Sequence, residues 1–204
     1  MGRMLRLVVV VGLVVAGTAG CKRDGGATAD TTVPTAPSTS ASTTTAVADI
    51  STIPAVIDEA YLNRVLAALD EVETQATRLI AANKRVVPPA AVLLKSIYSS
   101  DEFTILVDGW NRAMLTDPET QALKADDPGR QTTVKSIISA SRECVYVAVS
   151  RLFLRTGHTL PDYISLQPLD RTNDPEHHNP TAWMVGSSGV RNDNQQPSNP
   201  CVAQ

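Results

Sequence analysis

Three histidines, three cysteines and a few acids placed near aromatic rings are the side chains of this 204-residue chain with the types and spacing for chemistry. His177 and His178 sit in Asp174-Pro175-Glu176-His177-His178-Asn179-Pro180, which holds carboxylate and imidazole groups of the kind zinc takes. Adjacent residues of an extended segment point to opposite sides, and the prolines mark a surface loop, so no metal site is assigned there. His158 follows Gly157 and reads as part of a turn between two strands; as a general base it would need a pocket and a partner, and the sequence supplies neither. Asp108 with Trp110, and Tyr146 with Trp183, would line a cavity if the fold encloses one, where an acid among aromatics binds a small polar ligand. With only 4% aromatic content, core packing explains both tryptophans and Tyr146 more cheaply. There is no Gly-x-Ser-x-Gly elbow, phosphate-binding glycine loop, Cys-x-x-Cys or His-Glu-x-x-His pair. No catalytic residue and no cofactor is assigned.

The cysteines carry more information. Arg3 and Arg6 precede the apolar run Leu7 to Ala16, and small residues 17–20 lead into Cys21. This is the build of an export signal, with its charged end held on the cytosolic side and an apolar run shorter than the roughly 20 residues a spanning helix needs. The segment Thr18-Ala19-Gly20-Cys21 resembles a bacterial lipobox, although Thr18 stands where that family usually has an aliphatic residue. The resemblance implies a diacylglycerol on the Cys21 sulfur, cleavage before it and acylation of the new amino group. The alternative is ordinary secretion with cleavage after Ala19. Two or three palmitate-like chains would hold the protein at the membrane surface essentially permanently, at about 0.8 kcal/mol per buried methylene.

Residues 1–20 are therefore expected to be a removed signal, and 21–50 a lipidated cysteine followed by a tether. The tether is rich in Thr, Ser, Ala and Pro, lacks aromatic residues, and cannot bury enough apolar area to offset its ordering entropy. As a flexible coil it spans roughly 30 Å. Composition does not decide whether it carries O-linked sugar. Residues 51–191 fit one globular domain, with 192–204 as a tail. Loss of residues 1–20 removes Arg3 and Arg6 and no acid, taking the formal charge from −3 to −5. A mildly acidic chain without a basic run is a poor nucleic-acid binder.

With Cys21 lipidated, Cys144 and Cys201 form an even pair in an oxidising compartment, and a disulfide between them is expected. It would close a loop of about 58 residues and contribute roughly 4 kcal/mol. A buried free Cys144 with a reactive Cys201, or an intermolecular bridge, are the alternatives.

Within the domain, Ile57, Tyr61, Leu62, Val65, Leu66, Leu69, Val72, Ala76, Leu79 and Ile80 recur at steps of three and four and predict a long amphipathic helix. Its other face carries Asp58, Glu59, Arg64, Asp70, Glu71, Glu73 and Arg78, which read as a solvated surface. Pro88 and Pro89 open a second helix that runs to about Tyr98. Ser99 and Glu102 form a capping box for a third, whose buried face is Phe103, Leu106, Val107, Trp110 and Met114 and which ends at Asp117-Pro118. After the turn at 126–129, strands are predicted at 132–140, 144–154, 163–169 and 182–187, the first two paired as an antiparallel hairpin. Helices first and an antiparallel sheet afterwards is an α+β fold with the helices on one face of the sheet.

This order of elements resembles the NTF2-like superfamily over about residues 54–190. The resemblance is topological. It implies N-terminal helices packed into a curved sheet around a cone-shaped cavity, and it transfers no functional residue. The superfamily's short strand between the second and third helices has no counterpart in the sequence near Tyr98 to Phe103. The chain as a whole resembles tethered lipoproteins of high-GC Gram-positive bacteria. The reading is a membrane-anchored, extracytoplasmic protein with a noncatalytic domain that binds an envelope protein or a small ligand. A cavity enzyme of NTF2-like fold is the alternative, and a structural component recognising wall polymer is a third.

Overall fold

Asp58 starts the longest element: its Oδ1 accepts the Tyr61 backbone N–H at 2.7 Å, capping α1 (Glu59–Asn83). The helix ends where Lys84 turns left-handed, with φ 55°. The structure, a computed structural model, describes residues 48–190 and 198–202, all within one compact unit. Pro88 opens α2 (Pro88–Ile97), and α3 (Ser100–Thr116) follows after two extended residues. Asp117-Pro118 does more than end α3. The Asp117 carboxylate accepts the N–H groups of Glu119 and Thr120, which starts the short α4 (Pro118–Gln121) that the sequence reading lacked.

The strands β1 (Arg130–Ala140), β2 (Val145–Phe153), β3 (His158–Pro168) and β4 (Trp183–Val190) form an antiparallel meander in the order β1-β2-β3-β4. The sheet is curved and does not close. Its irregularities, two along β1 and one where β3 meets β4, are the local extra residues that bend a strand. The fold class is therefore α+β. β3 begins five residues before the expected Tyr163, because Pro161 lies just outside the stretch that pairs with β4, so its missing N–H costs no bond to that strand.

Between α2 and α3, Tyr98 makes a one-residue parallel bridge to Val185, and the Ser99 N–H donates to the Val185 carbonyl at 2.8 Å. The sequence shows nothing there because one bridging residue leaves no periodic pattern. This bridge also alters the expected capping box. Ser99 Oγ accepts the Glu102 N–H at 3.4 Å, but the reciprocal bond is not made, since the Ser99 N–H is already used.

Val145, Val147 and Val149 of β2 and Ile164 and Leu166 of β3 share one sheet face by register and pack against Leu62, Val65, Leu66 and Leu69 of α1 and Leu94 and Ile97 of α2. Trp183 is fully buried among them, its indole N–H donating to Tyr61 Oη at 2.8 Å, while the Tyr61 hydroxyl donates to the Thr52 carbonyl. On the opposite face Tyr146 stacks on Tyr163 with ring centroids 5.7 Å apart. Cys144 and Cys201 are joined by a disulfide, with Cα atoms 5.4 Å apart. Asn199 reinforces the docking, as its side-chain amide donates to Ser139 Oγ on β1 at 3.1 Å.

Candidate functional site

Two acids assigned to the solvated face of α1 are buried: Asp70 is 5% exposed and Glu73 6%. The cause is the open edge of the sheet. β1 is an edge strand, and its outward N–H groups need acceptors once α1 covers them. Asp70 Oδ2 accepts the Thr132 N–H at 2.6 Å, and Asn63 Oδ1 accepts the Val134 N–H at 2.8 Å. At the other edge Glu102 does the same for β4, accepting the N–H and hydroxyl of Ser188 at 3.1 and 2.6 Å.

Around Asp70 the edge contact grows into a charged cluster. Arg130 Nε donates to Asp70 Oδ1 at 2.9 Å, and its Nη2 pairs with Glu73 Oε2 and lies 3.3 Å from Tyr98 Oη. The Tyr98 hydroxyl donates to the same Glu73 oxygen. Burial pushes the Asp70 carboxyl above its usual range, with Arg130 opposing the shift. Burial and the neighbouring Glu73 raise the Tyr98 phenol. For Arg130, burial works against the charge, but Glu73, Tyr98 and Asp70 outweigh it and hold the guanidinium protonated.

Glu73 and Arg130 form part of the wall of a cavity of about 560 Å³. Trp110, Leu123, Phe153 and Leu160 supply apolar lining, and Asp117, Glu119, Asp127, Arg155 and His158, with four threonines, complete the polar part. Gly129 lets the chain enter this region. Its φ is +84°, and a Cβ there would lie 2.1 Å from Thr74 Oγ1 on α1, so only glycine allows β1 to start this close to the helix. The turn before it is held by Asp127, whose Oδ1 accepts the Gly129 N–H at 2.9 Å and whose carbonyl accepts Arg78 Nε at 2.9 Å. Asp127 Oδ2 faces Arg155 Nε at 3.3 Å. Hydrogen bonds from the Thr120 hydroxyl and N–H hold the Asp117 carboxyl below its usual range.

Of the residues singled out from sequence, Trp110 and His158 line this cavity. His158 is the exposed first residue of β3, paired with Phe153, rather than part of the turn. Asp108 is exposed on α3, Tyr146 lies on the opposite sheet face, and Trp183 belongs to the core. Cys21, the signal and the tether up to residue 47 lie outside the described residues. The 174–180 loop is a structural plug. Buried Asp174 accepts the N–H groups of His178 and Asn179 at 2.8 and 2.9 Å, and the Asn179 amide donates to the carbonyls of Ser96 and Trp183 at 3.0 and 2.8 Å.

Sequence reasoning missed Glu73, Tyr98, Arg130, Asp127 and Arg155. For the first there was a signal: Leu66, Asp70, Glu73, Thr77 and Ile80 follow one another at steps of three and four, which places both acids inside the apolar stripe. Comparison with models of protein families, with curated proteins and with solved structures finds no match.

Proposed function

We propose that this chain is a lipid-anchored, extracytoplasmic binding protein whose domain holds a small organic ligand in the cavity lined by Glu73, Trp110, Arg130 and Phe153. The observation that carries the reading is the cavity itself. About 560 Å³ falls within the range of small-molecule sites, and its lining combines apolar surface from Trp110, Leu123, Phe153 and Leu160 with charged and hydroxyl groups. The Arg130–Glu73–Tyr98–Asp70 cluster is built before any ligand arrives, so orienting contacts cost little reorganisation.

A noncatalytic role is supported by how the ionisable groups are used. Glu73 is committed to Arg130 and Tyr98, Asp127 holds the turn, and His158 is exposed. A general acid or base needs a proton it can exchange within reach of the substrate. The second reading, a cavity enzyme of the same fold, draws on Glu73, a carboxylate with partners on the cavity wall. Its ion pair with Arg130 suits a fixed recognition point better than proton transfer.

Anchoring rests on Arg3, Arg6, the apolar run and Cys21. Among the described residues no helix is long and apolar enough to cross a membrane. Lipidation would confine the domain within a tether length of the bilayer and raise its effective concentration toward envelope partners or ligands. Two experiments test the proposal. Cys21→Ser should move the protein from the membrane to the soluble or secreted fraction, and unchanged retention would remove the anchor. A thermal-shift screen of small organic molecules should give hits that disappear in Thr77→Trp, which fills the cavity; hits retained by that variant would place binding elsewhere.

A further inference from the structure

We infer that the cavity selects an organic cation, an ammonium group on an apolar body, with the ammonium donating to Asp127 Oδ2 and the body lying against Trp110, Phe153 and Leu160. The inference deepens the binding reading and rests on it. Asp127 is 6% exposed, and its Oδ2 is buried without a hydrogen-bond partner among the described residues. Oδ1 is satisfied by the Gly129 N–H, whereas Oδ2 has only the ion pair with Arg155 Nε at 3.3 Å, which lacks hydrogen-bond geometry. A buried carboxylate oxygen accepts and cannot donate, so what completes it must bring an N–H or O–H.

Charge favours the ammonium over a neutral donor. The cavity lining holds the carboxylates of Glu73, Asp117, Glu119 and Asp127 against the guanidiniums of Arg130 and Arg155. An anion entering it meets an excess of its own sign, and a cation meets the opposite. Trp110 adds an aromatic surface of the type that attracts ammonium groups. Arg155 acts as a placeholder. Its side chain is 37% exposed, and among the described residues it reaches, beyond Asp127, only the Glu119 carbonyl, at 3.5 Å, so a ligand cation can displace it toward water.

The test uses the whole chain in nonionic detergent and three probes with one body and different heads: phenethylammonium, 2-phenylethanol and phenylacetate. Trp110 fluorescence is the readout, with Trp183 as a buried background and Trp110→Phe as the control. Phenethylammonium should bind about tenfold or more tighter than 2-phenylethanol, as expected for a hydrogen bond between charged groups, and phenylacetate should bind most weakly. Asp127→Asn keeps the oxygen that holds Gly129 and should erase the ammonium advantage while leaving 2-phenylethanol unchanged. Arg155→Gln removes the competing cation and should tighten phenethylammonium; it decides the matter if Asp127→Asn fails to fold. Equal binding of ammonium and alcohol, or tightest binding of phenylacetate, overturns the cation inference while the cavity reading stands. No response of Trp110 to any of the three overturns the cavity reading, and this inference with it.

Discussion

Replacing Arg130 with Met tests the charged cluster where it is most exposed to failure. The substitution keeps much of the side-chain volume but leaves Asp70 and Glu73, whose side chains are 7% and 8% exposed, facing each other without their cation. Breaking a buried ion pair by removing one partner costs about 3–5 kcal/mol. For a domain of this size, urea unfolding has a slope near 2 kcal/mol/M, so the midpoint should fall by roughly 1.5–2.5 M at pH 7. The loss should also depend on pH in a definite direction. Burial already raises the Asp70 carboxyl against the opposition of Arg130, and deleting Arg130 removes that opposition. A carboxyl raised in the folded state contributes stability that is full below its unfolded pKa and is lost as pH rises through the folded one. The difference between Arg130→Met and the parent should therefore be largest at neutral pH and shrink toward about pH 4, as Asp70 takes up its proton. Urea titrations at several pH values, followed by circular dichroism, measure this directly. A midpoint change below about 0.5 M, or one equal at pH 7 and pH 4.5, would refute the claim that Arg130 neutralises buried acids.

Gly129→Ala should cost about 2–4 kcal/mol, from the left-handed backbone and the collision with Thr74, and lower the melting temperature by about 5–15 °C; a shift under 2 °C would mean that β1 can back away from α1. Cys201→Ser should lose roughly 4 kcal/mol in urea unfolding, and reductant should bring the parent to the variant's level without affecting the variant.

The helices were legible from sequence because α1 carries its apolar positions at helical spacing for seven turns' worth of residues and because Asp58, Pro88 and Ser99 mark starts that local chemistry enforces. The disulfide followed from pairing the two cysteines left after Cys21. The cluster that shapes the cavity was not legible in the same way. Asp70 and Glu73 look like surface acids until an edge strand some 60 residues later brings Thr132 and Arg130 against them. The acids sit within the apolar stripe, but stripe membership says that a residue is covered and not by what. Tyr98 was hidden for a related reason, since its bridge to Val185 joins segments far apart in the chain. Trp110 was singled out beside Asp108, but helical geometry sends the two to different surroundings: the ring to the cavity, the acid to solvent. The acids that line the cavity with Trp110 are Glu73, Asp117, Glu119 and Asp127, and Asp108 is not among them.

A small organic molecule held in the cavity should leave the envelope with the protein. Purifying the full chain under mild conditions, extracting it with organic solvent and identifying what is released by mass spectrometry tests this, alongside Thr77→Trp treated identically. The parent should release a small amphiphile that is missing from the cavity-filled variant, with both proteins equally folded. The same molecules released by both, or none by either while added ligands also fail to bind, would contradict the cavity reading.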